Sequence, residues 1–161
     1  MISVAVPRGG ATALALALHE HAGLAPPDPG CWIGDDALAL LWSAPGQFLA
    51  VGDAAATQRL ATALKGRALL IDLTGARVVV RLSGVSARDI LARVVPLDLH
   101  PRVMRPGSVA STVAAHIGVQ IWQIDDAPSY DIAAPVSYAG SLLRALELSG
   151  APVPGVGQAD K

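Results

Sequence analysis

Apolar residues along this chain come in short bursts separated by breaks rich in glycine and proline. Within the bursts the spacing switches between strand-like alternation and a helical stripe. Ile2 to Val6 alternates and stops at Pro7, which predicts a strand. Gly9-Gly10 is a turn, and Thr12 to Ala22 predicts a helix with Leu14 and Leu18 on its apolar side and Gly23 as its stop. Leu24 to Asp36, with Pro26, Pro27, Pro29, Gly30 and Gly34, reads as a loop. Ala37 to Trp42 and Gln47 to Val51 flank Pro45-Gly46 and predict a hairpin. Asp53 caps a helix to about Leu64 with Leu60, Ala61 and Leu64 inward. Gly66 ends it, and Ala68 to Leu73 reads as a continuous apolar strand.

The β-α-β-β-α-β order of this first half matches a split βαβ unit. A second series starts almost without a linker at Thr74-Gly75. Arg77 to Leu82 alternates charge and valine; a helix opening at Ser83 or Ser86 turns Ile90, Leu91 and Val94 inward and ends at Pro96. Val109 to Ala115 and Gly118 to Ile124 predict a hairpin around His116-Ile117-Gly118. Asp125 to Pro128 turns into a strand at Tyr130 to Ala133. Ser137 to Leu148 predicts a last helix, with Tyr138, Leu142, Leu143 and Leu146 on or near one face. The expected fold class is α+β: two ferredoxin-like β-α-β units packed together, over residues 1–73 and 74–149, followed by a flexible C-terminal tail over 150–161.

Composition narrows the function classes. At 52% hydrophobic and 16% charged the chain is poor in surface charge, a composition that suits hiding part of its surface against a partner. A net charge of −1, only two lysines (Lys65 and Lys161) and 4% aromatics argue against nucleic acid or an anionic membrane as partners. A single cysteine, Cys31, excludes an internal disulfide. The N-terminus lacks the layout of a signal peptide, and Ala11 to Leu18 is too short to span a bilayer, so a soluble cytoplasmic protein is expected.

Candidate chemistry is sparse. Asp98 and His100 sit two apart in the proline-bounded extended hexapeptide Pro96-Leu97-Asp98-Leu99-His100-Pro101, so they project to one side while Leu97 and Leu99 project to the other. Such a pair can be an acid–base couple, two metal ligands, or a turn in which Asp98 accepts backbone N–H groups and His100 packs at an interface. The third reading is favoured, because no nucleophile or third ligand lies nearby. His19 and His21 point in nearly opposite directions on a helix and cannot share a metal. Asp72 reads as a turn-capping aspartate. Trp32, Trp42 and Trp122 mark either an interface or core.

The run Arg81-Leu82-Ser83-Gly84 to Pro96-Leu97-Asp98-Leu99-His100-Pro101 resembles the gamma subunit family of heterotetrameric sarcosine oxidases. Supporting patches occur in the same order: Trp32-Ile33-Gly34, Trp42 to Leu49, Ile71-Asp72-Leu73-Thr74, Arg105 to Thr112, and Gln120-Ile121-Trp122. The pattern departs at Val85, where proline often follows Leu-Ser-Gly, and at Met104, where an aromatic is common. The resemblance implies a fold like the folate-binding aminomethyltransferase of the glycine cleavage system, and a complex with alpha, beta and delta subunits. It assigns FAD, FMN, NAD, zinc and tetrahydrofolate to those other subunits and no cofactor, metal or catalytic residue to this one. The implied function is that of a non-catalytic gamma subunit in an oxidase that demethylates sarcosine. The alternatives are the small subunit of a related secondary-amine or N-methyl amino acid dehydrogenase, or a stand-alone folate-binding protein. Candidate subunit-interface residues are Asp98, His100, Pro101, Trp32 and Arg105.

Overall fold

A computed structural model describes residues 1–151, so the tail expected beyond Ala151 lies outside the described residues. β1 (Ile2–Ala5) sends Ile2 and Val4 to a helix-covered face. α1 (Ala11–Ala22) buries Leu14, Ala17 and Leu18. Gly23 adopts the left-handed conformation at its end and donates its N–H to the His19 carbonyl, the bond of an αL stop, while the Leu24 N–H reaches back to Leu18. The expected loop 24–36 contains a short strand, β2 (Trp32–Gly34), which pairs antiparallel with β3 (Leu38–Ala44). Periodicity over three residues is too short to announce a strand. What makes it possible is Gly34, at φ 116°, where a Cβ would lie 2.1 Å from the Leu38 carbonyl oxygen.

β3 and β4 (Gln47–Gly52) form the expected hairpin over Pro45-Gly46. α2 (Ala54–Leu64) begins where Asp53 Oδ1 accepts the Ala56 N–H at 2.6 Å. β5 (Leu69–Asp72) completes a five-stranded sheet of order β2-β3-β4-β1-β5. Setting β2 aside, that is the strand order of a split βαβ unit. The second unit runs β6 (Arg77–Ser83), α3 (Ala87–Ala92), β7 (Val109–Ala114), β8 (Ile117–Asp125), β9 (Ser129–Pro135) and α4 (Ala139–Gly150), the expected order of elements. Its four-stranded antiparallel sheet has the order β6-β9-β8-β7.

The two sheets face each other, with helices outside. Leu40, Ala50 and Phe48 of the first sheet pack on α1 and α2, while Ala39, Leu41 and Leu49 of the same strands face the second sheet. Ile121 and Ile132 pack on the α3/α4 side, while Trp122 and Ala133 meet the first sheet. Strands covered on both faces explain why the central runs read as nearly unbroken apolar sequence rather than alternation.

The structure corrects or refines several local expectations. The β7–β8 turn is Ala115-His116, both at positive φ (46° and 67°), so Ile117 belongs to β8 and is buried. The register Ala114↔Ile117 leaves room for only a two-residue turn, and such turns demand left-handed geometry at both positions. The strand after Arg77 continues to Ser83, which decides between the two expected starts of α3 in favour of Ser86. Tyr138 lies in a 3-10 turn (Val136–Tyr138) and is 52% exposed. Leu143 is 45% exposed, because Leu142 and Leu146 one turn apart already occupy the core-facing stripe of α4. The apolar strand expected at Ala68 to Leu73 is β5, an edge strand with Leu69 and Ile71 largely in water.

The contrast within α4 sets a stability test on the isolated chain. Leu142→Ala removes a fully buried side chain and should cost about 2–5 kcal/mol. Leu143→Ala should shift stability by no more than about 0.5 kcal/mol. Urea unfolding midpoints at constant slope read the difference; equal losses would contradict the burial of this helix.

Candidate functional site

The distinctive loop follows α3. Val95, Leu99 and Met104 are buried in the core under α3 and α4, and Leu97 packs against it, so the chain is pinned from below at three points. Met104, which stands where the family resemblance leads one to expect an aromatic, fills that space with a flexible side chain. Val85, the other departure, is 92% exposed and bears on nothing.

Between the pins the polar side chains bond to backbone. Asp98 Oδ1 accepts the His100 N–H at 2.9 Å, and His100 Nδ1 accepts the Arg102 N–H at 3.2 Å. The His100 carbonyl accepts from Val103 (2.8 Å) and Met104 (3.0 Å), closing a helical turn. Asp98 and His100 are both exposed, and each is tied to backbone rather than to the other. Pro101 is exposed at the start of the turn. Arg105 folds its guanidinium onto the Arg102 carbonyl (Nε 3.2 Å, Nη2 3.0 Å), and its N–H donates to Ser108 Oγ at 3.0 Å. The loop is therefore a rigid, exposed corner.

Trp32 is placed differently. It is half-buried on β2, and its Nε1 donates to the Gln123 carbonyl at 2.8 Å. Its backbone N–H donates to Gly107 (2.8 Å), and Val109 N–H to Gly30 (2.8 Å), so the loop's far end is sewn to the edge of the first sheet. Trp42 packs partly buried and Trp122 is 2% exposed in the inter-sheet layer. The structure thus brings Trp32 close to the end of the 98–108 segment and keeps Asp98, His100, Pro101 and Arg105 together on one corner.

Sequence reasoning did not single out the polar groups along the seam between the sheets. Gln120 Nε2 donates to the Trp42 carbonyl (2.9 Å) and Ser43 Oγ (3.1 Å). Arg81 and Asp131 face each other in the β6–β9 register and form a two-pronged pair, Nε–Oδ1 2.7 Å and Nη2–Oδ2 2.9 Å. The Asp131 hydrogen bonds and charge raise the Arg81 pKa further, with a smaller contribution from Asp36 at 3.5 Å, against the opposing effect of burial. A guanidinium with a raised pKa stays charged over the whole working range, so this pair is insensitive to pH from the arginine side. An aspartate inside the apolar run 130–134 was the available signal. The pair lines a cleft of about 260 Å³ with Trp32, Trp122 and Asp36. A more open cleft of about 640 Å³ lies elsewhere along the seam, near Arg77, His116, Gln120 and Tyr138.

Asp72 caps the Thr74 turn as expected, accepting its N–H at 2.8 Å; bonds from the Thr74 side chain and backbone hold its carboxyl below the ordinary range. His19 and His21 are exposed near the C-terminal end of α1. Among the described residues, no group of three or more His, Cys, Asp and Glu side chains is placed to hold a metal ion. No helix among them is long and apolar enough to cross a membrane.

These features define an α+β protein of two face-to-face sheets whose distinguishing surface is a preformed corner. The chain belongs to the sarcosine oxidase gamma subunit family, whose model matches residues 8–147. It is 34% identical over 130 residues to the sarcosine oxidase subunit gamma of Corynebacterium sp. (strain P-1), covering 78% of this chain and 63% of that protein. It is 35% identical over 95 residues to the subunit gamma of an Arthrobacter sp., covering 57% and 47% respectively. The chain thus spans less than two thirds of the length of these curated relatives. Its structure is similar to a chain of the heterotetrameric sarcosine oxidase from Corynebacterium sp. U-96 in complex with pyrrole 2-carboxylate. The TM-score is 0.77 at 30% identity, covering 94% of this chain and 82% of that one.

The Arg81–Asp131 pair gives a prediction. Arg81→Met leaves Asp131, 8% exposed, without its partner. Because half the arginine side chain is in water, the cost should be about 1–3 kcal/mol rather than that of a fully buried pair. Thermal unfolding of the single and double (Arg81→Met/Asp131→Leu) variants measures it; the double should recover part of the loss, and a neutral single variant would remove the pair from the stability account.

Proposed function

We propose that this chain is the gamma subunit of a cytoplasmic heterotetrameric, flavin-dependent sarcosine oxidase, working beside alpha, beta and delta subunits. It contributes no reacting group of its own. FAD, FMN, NAD, zinc and tetrahydrofolate belong to the other subunits, as does methylene transfer to tetrahydrofolate. The observation that carries this reading is the family match over residues 8–147, supported by likeness to a chain of a heterotetrameric sarcosine oxidase across 94% of the sequence. The corner at Asp98–Arg105 suits a structural role, since its polar groups are tied to backbone and its shape is set before any partner arrives.

Co-expression of the four subunits with an affinity tag on this chain tests the reading. Native mass spectrometry should find all four together, and the purified complex should oxidise sarcosine. A tagged chain that emerges alone, or a complex inactive on sarcosine but active on another secondary amine, would overturn it. Within the assembled complex, His100→Ala and Pro101→Ala should reduce retention of this subunit, while turnover per intact complex changes less than about twofold. Loss of turnover at full retention would give the corner a chemical role instead.

A further inference from the structure

The edges of the two sheets are not treated alike. β2 is covered by the chain at 107–109, through the Trp32–Gly107 bond and the Cys31–Ser108 bridge. β6 carries Arg77 and Arg81, charges that discourage strand addition, and β7 exposes Ser111 with Val113 as its one large exposed apolar residue. β5 has no cover and carries a single charge, Asp72 at its end. Its sequence is Leu-Leu-Ile-Asp, with Leu69 66% and Ile71 53% exposed.

The register explains the exposure. Ile71 pairs with Ser3 and Leu69 with Ala5, so both leucine and isoleucine stand on the face opposite to Ile2 and Val4, which is the face that meets the second sheet elsewhere. The second sheet covers Ala39, Leu41 and Leu49 on β3 and β4 but leaves this part of β5 open. The result is an uncovered apolar ledge beside a row of strand N–H and C=O groups.

The chain leading into that edge carries positive charge, at Lys65 and Arg67. From Ala54 to Ile71 there is no acidic residue, while Arg59, Lys65 and Arg67 occur in a protein whose net charge is −1. Sequence alone showed no basic cluster; the fold gathers these three with His21 around one cleft where the ends of α1 and α2 meet. Arg67 Nη1 bonds the Ala63 carbonyl at 3.2 Å, and among the described residues no carboxylate lies within 4 Å of the three cations.

The geometry points to a docking face for an acidic, extended segment of a partner subunit. The segment lies along the free edge of β5, sets apolar side chains on Leu69 and Ile71, and directs carboxylates to Lys65 and Arg67, just before the start of the strand. Charge complementarity selects this occupant over a second copy of the chain, whose own facing surface would repeat the same cations. The inference rests on the assembly reading above.

The test uses the full-length chain and the purified remainder of the complex. Wild-type affinity should fall with rising salt. Lys65→Glu/Arg67→Glu should weaken binding at low salt by about tenfold or more and flatten the salt dependence. Leu69→Lys/Ile71→Lys should weaken it similarly, with melting temperature and the control Arg144→Glu unchanged. If the ledge variant melts early, the charge reversal decides alone. Wild-type binding by both variants overturns this docking face and leaves the family function standing. A wild-type chain that never joins the complex overturns both. A dimer of the isolated chain, seen by sedimentation and abolished by the ledge variant, would give the face to a second copy and overturn the heteromeric occupant.

Discussion

Everything in this molecule hangs on the contact between its two sheets. Each sheet has helices on one face only, so neither could bury its strands alone. Pressing the open faces together buries Leu41, Leu49, Val109, Trp122 and Ala133 in a shared layer. The chain's abundance of alanine finds its use here and under the helices. Ala39 and Ala133 sit in the seam, and Ala17, Ala50, Ala87, Ala114 and Ala134 are buried at helix–sheet contacts, where a small side chain sets a close approach. Polar groups then fix the register. Trp32 to the Gln123 carbonyl and Gln120 to the Trp42 carbonyl are bonds between halves that an apolar layer, tolerant of sliding, would not specify.

The corner at 98–105 takes its rigidity from the core under α3 and α4 and from the bonds that cross to β2. Its underside is anchored by Leu99 and Met104, and its far end is sewn to β2 through Gly107 and Ser108. Side chains that could have done chemistry are spent on holding backbone: Asp98 on the His100 N–H, His100 on the Arg102 N–H, Arg105 on the Arg102 carbonyl. A surface of this kind recognises by preformed shape, with little ordering cost on association.

How much of this was legible depended on the range of the interaction. Capping and turn chemistry is local, so Asp53, Gly23, Pro45-Gly46 and Asp72 could be read from their neighbours. The inward face of α2 also followed from spacing. What escaped was set by distant partners. β2 exists because β3 and the 107–109 segment supply its bonds, and three residues carry no periodicity of their own. Leu143 and Tyr138 look as apolar as Leu142 and Leu146, yet the helix offers the core only one stripe. Arg81 and Asp131 are fifty residues apart, and only the β6–β9 register makes them a pair. Of the candidate site, Asp98 and His100 could be placed on one side by alternation, whereas the internal tie made by Trp32 required knowing where β8 lies.

On the assembly proposed above, the seam also determines how the chain could meet other subunits. The corner is attached at β2, one edge of the first sheet, and the β5 ledge is the opposite edge, with β3, β4 and β1 between them. Strands about 4.8 Å apart put these edges about 20 Å from one another. On the assembly reading, one small contact patch cannot take in both. Either a partner wraps the first sheet from edge to edge, or two partners each take one edge and this chain holds them at a fixed spacing. Because the two edges share no side-chain contact, their contributions to binding should be independent, and losses from variants at the two should add in free energy. A sheet braced from behind by a second sheet is a suitable spacer in either case, since bending it would require opening the layer around Trp122.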